Sequence, residues 1–320
     1  MASSKTPAIM KQGRWTPWLY LLPSLIVMTV FIVYPMINTV KLSFQNSDST
    51  ASAATDCVEG KPCWGIFENY RYALLNEINT TSPKSIWDSF WLSSYGNQIK
   101  WLIFMVSGTV GIGLLFALLA DRIKNEALAK AIIFMPMAIS FVGAGVIWKF
   151  VYAYGSSKVQ IGILNALITS MGGEPVSFLS ETPLNTFMLI IVGVWLWTGF
   201  CMTIISSALK AIPDEVIEAA RIDGASEAAL FFRIMLPIIS PTVIVVITTM
   251  VINVLKLFDI VYVMTGGNFS TDVIATRMYS EMYKYFQTGR GTAISVILIL
   301  AILPFIYLNI KRFVAQEAMR

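Results

Sequence analysis

The chain has 320 residues, 56% of them apolar and only 13% charged, and its mean hydropathy is +0.68; a water-soluble domain carries about 25% charge, so a soluble enzyme is excluded as the starting reading. The net charge of +4 is diffuse and contains no Lys/Arg run able to track a phosphate backbone, which argues against a nucleic-acid partner. Histidine is absent, removing the commonest metal ligand and the usual general base at neutral pH, so neither catalysis nor a metal site is expected.

Six stretches are long and apolar enough to cross a bilayer core of about 30 Å, which takes around 20 residues with every backbone group satisfied inside the helix. The expected architecture is an all-α polytopic membrane protein with six transmembrane helices. The first stretch, Trp18 to Val40, follows Lys5, Lys11 and Arg14. Its length and the lack of a small-residue cleavage site after it favour a retained helix over a signal peptide.

Next comes a polar segment, 44–96, containing Trp64, Phe67, Tyr70, Tyr72, Trp87 and Trp91. That is too much aromatic surface for a disordered linker, so the segment is expected to fold partly and pack on the outer membrane face, as an interfacial belt or as a docking surface. Cys57 and Cys63 flank five residues within it. They are either a small disulfide loop in an oxidising compartment or two free thiols.

The second and third stretches run Gln98 to Ala120 and Ala131 to Tyr154. Gly108, Gly111, Gly113 and Ala117 in one, and Gly143, Ala144 and Gly145 in the other, allow close helix approach. The fourth runs Leu184 to Leu209 and includes Cys201, read as a packing residue. The fifth runs Ile238 to Val263 and the sixth Thr292 to Ile310. Pro136 and Pro304 mark kinks in the third and sixth.

Basic residues in the short flanks (Lys5, Lys11, Arg14, Lys311, Arg312) and in the loops after the second and fourth stretches place both termini in the cytoplasm of a bacterial-type inner membrane. The layout is then a cytoplasmic end 1–17, a first helix 18–43, an outer loop 44–96, a five-helix core 97–312 with an inner loop 210–237, and a cytoplasmic end 313–320.

That inner loop is unusually well punctuated. Pro213, Asp214 and Glu215 make a helix start, since proline cannot continue the preceding helix and acids suit a positive helix N-terminus. Gly224 supplies a left-handed stop, Ser226 a cap for a second short helix through Leu230, Phe231, Phe232 and Ile234, and Pro237 a break before the fifth stretch. Two short helices bent at a glycine form a knob that a partner can grip.

Glu218-Ala219-Ala220, three residues, Gly224, nine residues, then Ile234-Met235-Leu236-Pro237 resembles the EAA loop of binding-protein-dependent ABC importer permeases, with every anchor position present. The resemblance implies a type I ABC importer permease fold and ATPase coupling through Glu215, Glu218, Ala219, Ala220, Asp223, Gly224, Ile234, Leu236 and Pro237. It also implies two ATPase subunits carrying ATP-Mg, a second homologous permease, an extracytoplasmic sugar-binding protein, and no cofactor on this chain. Trp18 to Pro23 and Tyr34-Pro35 through Ser43-Phe44 look like the first-helix region of maltose-type permeases. Leu255 to Tyr262, Thr265 to Phe269 and Ile274 to Tyr279 resemble sugar permeases of the α-glucoside and glucosylglycerol type.

For the substrate path, intramembrane polar groups are functional candidates by default. Asn253, Lys256 and Asp259 lie on the fifth stretch, with Lys256 and Asp259 three residues apart and able to pair across one helical turn. They are either a neutralised structural pair or hydrogen-bonding groups for sugar hydroxyls. Trp148, Trp195 and Trp197 can stack on sugar faces, although anchoring and packing also account for them. A self-sufficient secondary transporter is the alternative, but the inverted repeats and paired broken helices it wants are not evident.

Overall fold

The structure, a computed structural model, describes residues 16–45, 67–76, 85–121, 123–155 and 161–317. Cys57, Cys63 and Trp64 lie outside the described residues. Five helices of 24 to 29 residues are apolar enough to cross a membrane: Trp18–Ser43, Ser94–Ala120, Leu184–Lys210, Glu227–Leu255 and Thr288–Lys311. At about 1.5 Å per residue each exceeds the hydrocarbon thickness. Two further helices, Glu126–Ala138 and Phe141–Val151, are long and apolar enough only together and are bent by 95° at the break between them.

The third span was expected to be one kinked helix, Ala131 to Tyr154; it is broken instead. Pro136 sits in a tight 3-10 turn, Met135–Ala138. Ile139 and Ser140 are extended, and the Ser140 hydroxyl accepts the Gly143 amide at 3.0 Å to start the second piece. Proline withholds one backbone donor and serine re-caps the chain, so the break costs few unsatisfied groups. Pro304, in contrast, lies within an uninterrupted helix.

The fourth span is the axis of the core. Leu189, Leu196, Cys201, Met202 and Ile205 on it are buried with Trp101 and Met105 of the second span. Glycine fixes how near the helices come. A Cβ on Gly199 would stand 2.5 Å from the Ile133 carbonyl oxygen, against the third span's backbone. One on Gly113 would meet Cys201 at 2.8 Å. Gly108 and Gly145 also face partner side chains closely, whereas Gly111, expected among the close-approach residues, faces open space.

Among the described residues the first span is anchored toward its C-terminal end. Residues 34–43 pack against the sixth span, and side chains from Trp18 through Asn38 are exposed. The described parts of the outer loop are helical and packed. Asn69 donates to the Ser43 carbonyl at 3.1 Å, and the Ser43 and Tyr70 hydroxyls share a bond of 2.6 Å. Phe90 stands at 5.8 Å from Trp91 and 6.4 Å from Trp87, forming an aromatic cluster.

The fifth span departs most from its expected course of Ile238 to Val263. It starts early, at Glu227, passes through Pro237 without breaking, and stops at Leu255. A π turn over Phe231–Met235 lets the Leu236 amide reach back to the Phe231 carbonyl. The wider turn accommodates the proline ring and its missing donor. Lys256 therefore closes one helix while Asp259 opens another, Asp259–Met264. The expected pairing across one helical turn is lost with the turn, and among the described residues no ion pair joins them.

Candidate functional site

The inner elbow begins where Leu184–Lys210 ends. Pro213 stands in extended conformation at the N-cap and Asp214–Ile222 is helical, with Asp214 and Glu215 in its first turn where the helix dipole favours negative charge. The helix closes in a Schellman arrangement: the Ala225 amide bonds the Ala220 carbonyl and the Gly224 amide the Arg221 carbonyl, both at 3.0 Å. Gly224 takes φ +81°, a conformation that costs other residues roughly 1 kcal/mol. A Cβ there would meet nothing within 4 Å. The second piece starts at Ser226, whose hydroxyl accepts the Ala229 amide at 3.3 Å, and Arg221 pairs with Glu227 at 3.2 Å across the bend.

Of the coupling residues expected from the sequence, Ala220 packs inward. Glu215, Glu218, Ala219, Asp223 and Gly224 are exposed on the knob, and Ile234 and Leu236 are half-buried where it joins the span, with Pro237 exposed beside them. Two large apolar side chains also project outward without cover: Ile222 is 86% and Phe232 65% exposed.

A charge network behind the elbow was not singled out from the sequence. Lys130 pairs with Asp121 at 2.6 Å and also contacts Glu126 and Ser206. Ser206 donates to Asp121 at 2.9 Å, and Lys210 pairs with Glu126. It ties the start of the third span to the end of the fourth, just before Asp214. Glu126 and Lys130, four residues apart on a helix, were the visible signal.

The six expected path residues do not converge. Trp148 and Trp195 meet edge to face at 5.5 Å, while Trp197 stacks on Phe141 at 5.8 Å beside the bend of the third span. Asn253 turns its amide back to the Thr249 carbonyl of its own helix at 3.0 Å. Lys256 is exposed and Asp259 half-buried at the break. Gln98 donates to the Val254 carbonyl at 2.8 Å, satisfying a group freed by that break.

At the end opposite the elbow, the chain between the fifth and sixth spans doubles back through a short helix, Ile274–Tyr279. Arg277 on it, 6% exposed, donates to the Ala73 carbonyl at 2.8 Å and so straps the outer loop down. Tyr72 beside it donates to Glu281 at 2.9 Å. Burial first, then that carboxylate, raises its phenol above the usual range.

Residues 109–319 match the family described as binding-protein-dependent transport system inner membrane component. Over 303 residues the chain is 46% identical to the osmoprotective compounds uptake permease protein GgtC of Synechocystis sp., covering 94% of this chain and all of that one. It is 40% identical over 297 residues to the alpha-glucoside transport system permease protein AglF of Rhizobium meliloti, covering 92% and 81%. Its fold is similar to that of a chain from a bacterial ABC transporter involved in the import of the acidic polysaccharide alginate, with TM-score 0.68, 19% identity and coverage of 93% and 96%. These are membrane transport components rather than enzymes. Five long apolar helices with a broken sixth pair, an exposed elbow and a match over about two thirds of its length thus make this chain a member of the binding-protein-dependent inner membrane transport components, with the type I ABC importer permease fold.

Proposed function

We propose that the chain is one of two transmembrane subunits of an ATP-driven glycoside importer in a bacterial-type inner membrane, with both termini and the elbow in the cytoplasm. It receives substrate from an extracytoplasmic binding protein. The second subunit is a homologous permease, and ATP-Mg is held by two peripheral ATPase subunits whose closure moves the elbow. Uptake of osmoprotective compounds by one relative and of α-glucosides by another supports a glycoside of that kind. A binding-protein-dependent family leaves no room for the self-sufficient secondary transporter.

The elbow carries this reading. Its backbone is locked by its own hydrogen bonds, yet Ile222 and Phe232 are left bare at the end of the bundle. An uncovered apolar pair on a rigid knob is the form of a docking element. Among the described residues a side chain at Gly224 meets nothing within 4 Å, so Gly224→Val acts through the left-handed backbone of the elbow or against a partner, not through a clash inside the bundle. The test is to assemble the Gly224→Val complex and measure glycoside uptake with stimulated ATP hydrolysis. Loss of uptake, or its separation from hydrolysis, is expected; normal values for both in an assembled complex would sink the coupling role.

A further inference from the structure

The segment between the fifth and sixth spans holds a cavity of about 820 Å³, lined by residues that include Lys149, Tyr262, Asn268, Tyr279, Tyr283 and Lys284. None of the six expected path residues borders it. That volume falls in the range of small-molecule sites, roughly 300–1,000 Å³.

Its walls are held by a tight turn. Gly266, Gly267, Phe269 and Ser270 all take positive φ, folding the chain sharply back. Side chains from two other spans hold that turn: Asn185 donates to the Phe269 carbonyl at 2.7 Å, and Asn97 to the Ser270 and Asp272 carbonyls at 2.7 and 2.9 Å. Within the turn the Thr265 and Thr271 hydroxyls bond at 2.6 Å. A Cβ on Gly267 would lie 2.5 Å from an Asp272 carboxylate oxygen. Strain of this kind persists only where the surroundings over-determine it.

The cavity's chemistry is two-sided. Phe258, Tyr262, Tyr279 and Tyr283 form a continuous row with neighbouring ring centroids 4.9 to 5.0 Å apart, and Tyr262 and Tyr283 are exposed at its edge. Opposite kinds of group accompany them. Asn268 is exposed, with one amide hydrogen on the Thr265 carbonyl at 2.8 Å and a second to offer, and among the described residues neither Lys149 nor Lys284 pairs with a carboxylate. The rings are inclined to one another, Tyr262 to Tyr279 by 68° and Tyr279 to Tyr283 by 40°, and exposed aromatic faces beside hydrogen-bond donors match a sugar, which has an apolar C–H face and a rim of hydroxyls.

We propose that this cavity is a holding site for the glycoside after its release from the binding protein: the exposed face of Tyr283, with Tyr262 beside it, stacks on the sugar ring, and Asn268, Lys149 and Lys284 donate to its hydroxyls. This rests on the importer reading above. The test uses the assembled complex with its binding protein in proteoliposomes, measuring uptake of labelled α-glucoside per ATP hydrolysed for wild type, Tyr283→Ala, Tyr283→Phe and Asn268→Ala. Uptake per ATP is expected to fall roughly three- to tenfold in Tyr283→Ala and Asn268→Ala, the scale of one lost contact, and to be retained in Tyr283→Phe, which keeps the ring. Unchanged uptake per ATP in both weakened variants overturns the holding site alone. So does a proportional fall of uptake and hydrolysis in Tyr283→Ala and Tyr283→Phe alike, which marks a structural role. A wild-type complex that imports no α-glucoside overturns the substrate reading beneath it.

Discussion

The two ends of the bundle are built on opposite plans. The inner elbow is fixed by contacts within itself, with one left-handed glycine, two closing hydrogen bonds, a serine cap and the Arg221–Glu227 pair, and its Ile222 and Phe232 side chains stay bare. The outer end is fixed by side chains reaching in from elsewhere, with Arg277, Asn97 and Asn185 each capturing carbonyls far away in sequence. A surface to be gripped needs local rigidity and bare side chains. A receptacle needs walls tied to the spans that will move around it.

Substitutions can break this contrast at several strengths. The largest effect is expected between the ends, at Gly199→Val, where a side chain must displace the Ile133–Phe134 backbone; about 3 kcal/mol or more of destabilisation is expected, read as loss of folded chain in detergent. Arg277→Met removes a charged donor from the Ala73 carbonyl, leaving it the Tyr95 hydroxyl at 2.8 Å, and should cost about 1.5–3 kcal/mol. Its signature is protease sensitivity confined to the outer loop, with the elbow protected. Gly224→Ala pays only the left-handed conformation, about 1 kcal/mol, so melting should barely shift while coupling suffers. Ser226→Ala should cost about 1 kcal/mol or less, seen as faster amide exchange at residues 227–230. If Gly224→Ala melted as badly as Arg277→Met, the claim of a locally determined elbow would fail.

The same contrast governs what the sequence discloses. Elbow features are local, so Pro213, Gly224 and Ser226 could be read in place as start, stop and cap, and each occupies that role. The spans were legible from apolar length. The break after Leu255 was not, because Leu255, Leu257 and Phe258 continue the apolar run without glycine or proline; the break is stabilised by Gln98, more than 150 positions earlier. Pro237 misled in the other direction, since a π turn upstream absorbs it. Pro136 signalled a disturbance in the third span, but its severity depended on Ser140 acting as a new cap. The cavity at the outer end is assembled from three separate stretches of chain, and no single window of sequence contains it.

The first helix carries a consequence of its own. Its described attachments lie toward one end, in the packing of residues 34–43 on the sixth span and in the bonds among Ser43, Tyr70 and Asn69, while the side chains from Trp18 to Asn38 are exposed. Such a helix is interchangeable in a way the other five are not: any apolar segment of equal length that preserves the Ser43 clasp and the packing of residues 34–43 on the sixth span leaves the rest of the fold intact. Its particular side chains then answer to whatever lies alongside in the membrane, and graft exchanges between related subunits would transfer neighbour preference without transferring the fold.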